Sequence, residues 1–496
     1  MIKKVVILGG GSAGFLCAMA LKIKMPDLQV RVIRSKEIAI IGVGEGSTIP
    51  LTHFLHGFLQ LDMRKFVALA KPTWKLGMRF LWGPRPQFFY PLGEQIDRLI
   101  PGLPKNTAYY CDGMDLDYTT PLAALMAQGK MLPRGPDGRP AWHWNVAYHV
   151  ENENFVTGLE TIAQTAGVEI VEDTVDHVTQ NETGVTGLVM KSGNTETADL
   201  YVDCSGFRSL LLGQTLKEPF INFKSSLFCD RAVVGGWQRT NERIQPFTTC
   251  ETMNSGWAWQ IEHETRINRG YVFSSDFISD EDAEKELRAK NPKVGPTRVV
   301  RFVSGRTQRA WVKNVVGIGN ASGFVEPLEA TSLAVIATRS QLLSEILMES
   351  QRHVQPTQVD LYNRHHATLW DGIRRFIALH YKYNERIDSE FWRHCSRSID
   401  LAGAEQAVEY YQQCGPSTMW GNMTIGGDLD TFRLGGYLQL FVGQCVPTRV
   451  KYTPSDRERQ LWQAELQKNR QIASQGFTVS ETLAALRANA IRPPGV

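Results

Sequence analysis

The stretch Lys4-Val5-Val6-Ile7-Leu8-Gly9-Gly10-Gly11-Ser12-Ala13-Gly14-Phe15-Leu16-Cys17 decides how the chain must fold. Residues 2–8 are a short run rich in β-branched residues, the composition of a buried parallel strand. Beyond the glycines, Ala13, Leu16, Cys17, Ala20 and Leu21 recur at helical spacing, and Val30-Arg31-Val32-Ile33 reads as a second strand. This βαβ opening puts Gly9-x-Gly11-x-x-Gly14 at the strand-to-helix turn. Glycines there permit a tight turn and let backbone N–H groups approach a pyrophosphate at the helix N-terminus. The plain alternative is a glycine-rich surface turn, and the position between strand and helix argues against it. Both NAD and FAD use this turn.

Three further segments favour FAD. Ile41-Gly42-Val43-Gly44-Glu45-Gly46 follows the second strand. Asp199-Leu200-Tyr201-Val202-Asp203-Cys204-Ser205-Gly206 is an apolar strand entering a turn of small residues, and Gly317-Ile318-Gly319-Asn320-Ala321-Ser322-Gly323 repeats that design late in the chain. Strands from the beginning, middle and late chain returning to one cofactor describe a large flavin domain. The second strand departs from the pattern. Where an acidic residue would grip the adenosine ribose, it ends Ile33-Arg34-Ser35. Two readings stay open: Arg34 contacts a phosphate, or the ribose is held loosely.

The 496 residues exceed one simple core and fit two or three packed domains, or a cofactor domain with large insertions. Hydrophobic residues at 43% and charged residues at 21% exclude wholesale disorder. A formal net charge of +3 is no footprint for nucleic acid or an anionic membrane. The eight cysteines are scattered without CxxC or metal-ligand spacing, and read as reduced, mostly buried thiols of a cytoplasmic protein. The apolar run after Lys3-Lys4 breaks into glycines too soon for a signal core or a membrane span.

Residues 72–145 are rich in Pro, Trp, Tyr and Gly and read as an insertion of loops and short strands. Strand signals return at 168–171, 185–190 and 198–204, an aromatic-rich β stretch spans 256–278, and Val315-Val316-Gly317 precedes the late turn. From 332, Leu333, Ile336, Leu343 and Leu347 begin a helical run to about 412, whereas 415–445 is rich in Gly and Thr without assignable pattern. The expected fold is α/β: a Rossmann-type, FAD-monooxygenase-like domain with a β-rich insertion and a helical C-terminal region. The core occupies 1–350, interrupted at about 72–145 and 215–300, and 351–496 is mainly helical.

Taken together, ordered blocks between residue 5 and about 395 resemble the flavin-dependent halogenases, the family that includes the tryptophan halogenases. The blocks include Gly42-Val43-Gly44-Glu45, Lys71-Pro72-Thr73-Trp74-Lys75-Leu76-Gly77, Asp203-Cys204-Ser205-Gly206-Phe207 and Gly256-Trp257-Ala258-Trp259-Gln260-Ile261. Gly270-Tyr271-Val272-Phe273-Ser274-Ser275, Gly323-Phe324-Val325-Glu326-Pro327-Leu328-Glu329-Ala330-Thr331 and Phe376-Ile377-Ala378-Leu379-His380-Tyr381 complete them. The resemblance implies reduced FAD from a separate flavin reductase, with oxygen and chloride or bromide yielding hypohalous acid. That acid then reaches a lysine beside an electron-rich aromatic substrate.

On this resemblance FAD is held by Gly9, Gly11, Ser12, Ala13, Gly14, Arg34, Gly42, Val43, Gly44, Glu45, Gly319 and Phe324, and no metal is needed. Lys75 matches the family's lysine. Read alone, its strand-like alternation (Trp74, Leu76, Met78, Phe80 against Thr73, Lys75, Gly77, Arg79) describes a solvated face, since most lysines lie at the surface. An ammonium can nevertheless hydrogen-bond hypohalous acid or turn nucleophilic when desolvated. Glu329 matches the catalytic glutamate, stabilising the cationic ring and helping remove its proton. As a bare residue it is also an acid favoured before a helix, with Glu326 its nearest competitor. The backbone amides of Thr331 and Ser332 match the halide site, and Ala330 stands where the family usually has serine.

Trp257 and Trp259 match the tryptophans of WxWxIP that wall substrate from flavin, although Glu262 replaces the proline, and i, i+2 aromatic packing is the alternative. Tyr90 and Leu92 occupy positions where tryptophan halogenases place a histidine and a stacking phenylalanine. Residues 412–496 contain no counterpart of the loop gripping the amino-acid backbone. The expected substrate is therefore an indole, a phenol or an aromatic on a carrier protein. An FAD monooxygenase, needing neither Lys75 nor Glu329, and a non-catalytic flavin-fold binding protein are the alternatives.

Overall fold

The computed structural model describes residues 1–38, 44–111, 116–420 and 430–491. The chain divides into two units: residues 1–72, 150–223 and 302–370 form one, and residues 73–149, 224–301 and 371–496 the other.

The first unit is built on a six-stranded sheet in the order Trp311–Val312, Val315–Gly317, Leu200–Asp203, Lys4–Leu8, Gln29–Arg34, Glu169–Glu172. Every pairing is parallel except that of the outermost Trp311–Val312. Parallel strands need both faces covered, and the near-continuous apolar runs supply that. Val5, Val6, Ile7, Tyr201, Val202, Val315 and Val316 are all fully buried. The helix Ser12–Lys24 buries eight consecutive residues from Gly14 to Leu21 and packs against Ser332–Glu349, where the Ser344 hydroxyl donates to the Ala20 carbonyl at 3.1 Å. Early, middle and late strands thus meet in one sheet.

The second unit holds a seven-stranded sheet, in the order Arg298–Arg301, Arg231–Gln238, Arg266–Phe273, Gly256–Glu262, Phe247–Met253, Gly77–Leu81, Phe88–Pro91. It is antiparallel apart from the parallel pair of Phe247–Met253 with Gly77–Leu81. The alternating stretch around Lys75 forms two strands rather than one. Thr73–Lys75 pairs with Ala147–His149, and Gly77–Leu81 enters the large sheet. Leu76 makes the switch, its N–H donating to the Pro246 carbonyl and its own carbonyl accepting from Leu92 N.

The helical region comprises Ser332–Glu349, Pro356–Lys382, Glu390–Ser398 and Glu405–Cys414, followed by Asp456–Ser474 and Val479–Arg487, the last two opened by capping boxes at Ser455 and Thr478. The stretch without pattern at 415–445 contains a further helix, Arg433–Gly443. Its glycines hid it, because each costs helix propensity, and packing explains them. A Cβ on Gly436 would fall 2.3 Å from the Tyr90 hydroxyl, and one on Gly443 would fall 2.5 Å from the Phe88 ring. No described helix is long and apolar enough to cross a membrane.

Candidate active site

In the first unit the Gly9–Gly14 turn is as tight as its sequence demands. Gly9 has φ +124°, and a Cβ there would sit 2.2 Å from the Cys204 carbonyl oxygen. A Cβ on Gly14 would lie 1.8 Å from the Gly9 oxygen, whereas one on Gly11 would meet nothing within 4 Å. The helix Ser12–Lys24 has no side-chain cap and no acidic residue in its first turn, so its leading N–H groups are left to an anion. Gly319, at φ +69°, abuts Ala13, a Cβ there lying 3.0 Å from the alanine's own. Phe324 stacks edge-on with Phe207 and Phe302 at 5.0 and 5.2 Å. This cradle, open at Gly11 and closed by backbone elsewhere, fits a dinucleotide pyrophosphate. Gly14→Ala is expected to weaken FAD binding about tenfold or more, measured by flavin titration, since the added methyl must displace the Gly9 carbonyl.

Gly42 and Val43 lie outside the described residues. The Gly44 N–H donates to Asn152 Oδ1 at 3.2 Å, and the Asn152 amide donates to Glu45, whose carboxyl burial pushes above its ordinary range. Arg34 is engaged by protein: its guanidinium pairs with Glu160 and, at 3.7 Å, with Glu172.

Glu326 and Glu329 are both buried. Glu329 precedes Ala330, which has φ +54° in the left-handed region, a strain of order 1–3 kcal/mol for a residue with a Cβ. That backbone reversal delivers Thr331 to the N-cap of the helix Ser332–Glu349. Thr331 makes no side-chain capping bond, so the first-turn amides remain available to an anion such as halide.

Lys75 lies in the second unit and is 0% exposed, the opposite of a solvated strand face. Its ammonium donates to Thr248 Oγ1 at 3.3 Å, and His149 Nε2 lies 2.8 Å from the same oxygen. Burial, with the Lys75 charge beside it, holds His149 well below 6.5, so the imidazole is neutral. A hydroxyl has one proton, so Thr248 can give it to a neutral His149 Nε2 while accepting from Lys75. Neither Thr248 nor His149 carries a local sequence signal. They are 173 and 74 residues from Lys75, and only the sheet pairing unites them.

Strand register sorts the remaining residues by face. Met78 lies opposite both Thr248 and Tyr90, and Cys250 opposite Trp259, so these residues share one face of the large sheet. Trp257 and Trp259 are buried with centroids 6.1 Å apart, and the Trp259 ring lies across Gly270, where a Cβ would fall 2.1 Å from it. Tyr90 is buried against Phe80 and Phe376, and Leu92 is also buried. Glu262, in place of proline, pairs with Arg239 in an almost fully buried ion pair and accepts from Gln260 Nε2 at 2.9 Å.

Burial also lowers His263, to about 3. Because His149 and His263 both bind protons less readily folded than unfolded, the stability they contribute is fully present above about pH 6.5 and drains as pH falls toward their folded values. Thermal stability should therefore weaken on acidification, His263 alone contributing on the order of 2 kcal/mol at about pH 5 and His149 acting in the same direction. Replacing both histidines by asparagine should flatten that acid limb in a calorimetric pH series.

A family profile, tryptophan halogenase, matches residues 4–457. The chain belongs to the tryptophan halogenase family. Among curated relatives, the halogenase is 33% identical to tryptophan 7-halogenase KtzQ of Kutzneria sp. (strain 744) over 444 residues, covering 83% of this chain and 82% of KtzQ. It is 32% identical to 7-chloro-L-tryptophan 6-halogenase KtzR of the same organism, covering 83% of this chain and 86% of KtzR. Among solved structures it is 37% identical to MibH, a lanthipeptide tryptophan 5-halogenase, with a TM-score of 0.90 over 98% of this chain and 94% of that one. The halogenase is thus a flavin-dependent enzyme acting on aromatic substrates, with the mixed α/β architecture of its relatives.

Proposed function

We propose that the enzyme halogenates the indole of a tryptophan residue within a peptide, using Lys75 and Glu329. The observation carrying the catalytic assignment is the burial of Lys75, whose ammonium is held on Thr248 away from bulk water. Reduced FAD, when bound, supplies the electrons that let oxygen convert halide to hypohalous acid. Gly9, Gly11, Ser12, Ala13, Gly14, Gly44, Glu45, Gly319 and Phe324 would hold that cofactor, and a separate flavin reductase would provide it reduced. The first-turn amides at Thr331 and Ser332 orient chloride or bromide. The Lys75 ammonium then hydrogen-bonds the oxygen of the hypohalous acid and aims its halogen at the ring, so that the oxygen–halogen bond breaks as the carbon–halogen bond forms and the oxygen leaves as water with the ammonium's proton. The buried Glu329 carboxylate stabilises the cationic ring and accepts the proton leaving the halogenated carbon.

A peptide substrate is supported by the 37% identity to MibH across nearly both full chains, against 33% over a smaller share for KtzQ. Tyr90, buried against Phe80 and Phe376, supports the same reading, since it serves as packing rather than as an open stacking wall. The test incubates free tryptophan, N-acetyltryptophanamide and tryptophan-containing peptides with enzyme, reductase, NADH, FAD and each halide, followed by mass spectrometry. Halide mass on peptides but not on free tryptophan is the expected result, whereas exclusive modification of free tryptophan would reject the peptide. Addition of oxygen alone would favour a monooxygenase.

A further inference from the structure

The face of the large sheet opposite Trp257 and Trp259 carries a cavity of about 340 Å³ within the second unit. It is not apolar. Arg79 lies opposite Phe89 and Thr249 in register, and Thr249 opposite Gln260, so these side chains share this second face.

The carboxylates lining the cavity, Glu242 and Glu262, are paired with cations other than its two arginines. Glu262 is taken by Arg239, Glu251 by Arg269 and Lys290, and Glu242 by Lys293, with the Trp237 indole also donating to Glu242. The guanidiniums of Arg79 and Arg243 are in none of these pairs, although Glu481 attracts Arg243 from a distance. Neither has a hydrogen bond or ion pair among the described residues. Arg79 is half-buried, its Nε is buried without a hydrogen-bond partner, and its guanidinium stands 5.1 Å over the Phe247 ring. Glu251, Glu262 and Asp117 attract it from a distance while Arg269 repels it, and burial disfavours its charge. A planar fork held against an aromatic face, with its donors unused, is arranged for a bidentate anion. Phe89, Trp237 and Phe247 supply apolar wall, and Gln245 and Gln260 supply amides.

The geometry points to a binding site for a carboxylate with a compact apolar body, its oxygens on Arg79 and its body against Phe247 and Trp237. The carboxylate can belong to a free organic acid or to a peptide, and the site does not depend on the roles assigned to Lys75 and Glu329.

Isothermal titration of the full-length enzyme with benzoate, N-acetylphenylalanine and N-acetylphenylalaninamide tests this. Both acids should bind saturably, and the amide about tenfold or more weaker. Arg79→Gln should weaken acid binding by a similar factor, and Arg243→Gln, an exposed position that carries the test if the Arg79 variant misfolds, should weaken it in the same direction. Tighter binding of benzoate identifies a free acid as the occupant, and tighter binding of N-acetylphenylalanine identifies a peptide carboxylate. Equal binding of acid and amide, absence of saturable binding by either acid, or acid binding unchanged in both variants would overturn the site.

Discussion

Lys75→Met is expected to lower halogenated product by roughly 10²–10⁴-fold, the range of a positioned acid or hydrogen-bond donor, while leaving the thermal midpoint at or above that of the parent. The two outcomes share one cause. Lys75 is fully buried, and holding an ammonium out of water is costly unless neighbours compensate it. Methionine fills a similar volume without charge and leaves Thr248 and His149 hydrogen-bonded at 2.8 Å. A purely structural lysine would behave oppositely, its loss weakening the fold and reducing product only through lost enzyme. If Lys75 acts only after halide oxidation, as proposed, flavin oxidation by the variant supplied with reduced FAD should persist. Product formation within a few-fold of the parent would remove Lys75 from the mechanism.

Asp203→Ala is expected to destabilise the first unit by about 3–5 kcal/mol and to weaken flavin retention with it. The buried carboxylate at the end of Leu200–Asp203 accepts from Ser205 N at 3.0 Å, Ser205 Oγ at 2.6 Å, Leu211 N at 2.7 Å and Leu212 N at 2.8 Å. Burial pushes this carboxyl above its ordinary range, and the four donors work against that shift. Alanine would strand the Leu211 and Leu212 N–H groups in the core, each costing about 1–3 kcal/mol. The next residue is Cys204, whose carbonyl faces Gly9, so loosening this turn loosens the nucleotide turn. Asn, keeping the shape but aiming an amide at backbone donors, should lie between parent and alanine. Denaturant unfolding of the alanine variant within about 1 kcal/mol of the parent would sink the argument.

The nucleotide half of the molecule was legible because its determinants are local. A β-branched strand, a glycine turn and a helical repeat lie within residues 4–24, and each constrains the next. The later strands were legible as apolar runs ending in small residues. What escaped detection depends on distant partners. Lys75 reads as exposed until Ala147–His149 and Thr248 are brought beside it. The helix Arg433–Gly443 reads as loop because its glycines answer Phe88 and Tyr90, more than 340 residues earlier, and not their own neighbours. Arg34 stands where an acidic residue would grip the adenosine ribose, and its ion-pair partners Glu160 and Glu172 lie more than 120 residues away in the sequence.

The setting of Thr248 bears on how long one molecule can keep working. Directly opposite it is the thioether of Met78, and two residues along the strand is the thiol of Cys250, both buried. Sulfur is what hypohalous acid attacks most readily, and methionine sulfoxide is polar where the core is not. An oxidant that slips its tether here would corrode the very strands that support the tether. On the role proposed for Lys75, its hold on Thr248 would bear on the enzyme's lifetime in turnovers as well as on the direction of the halogen.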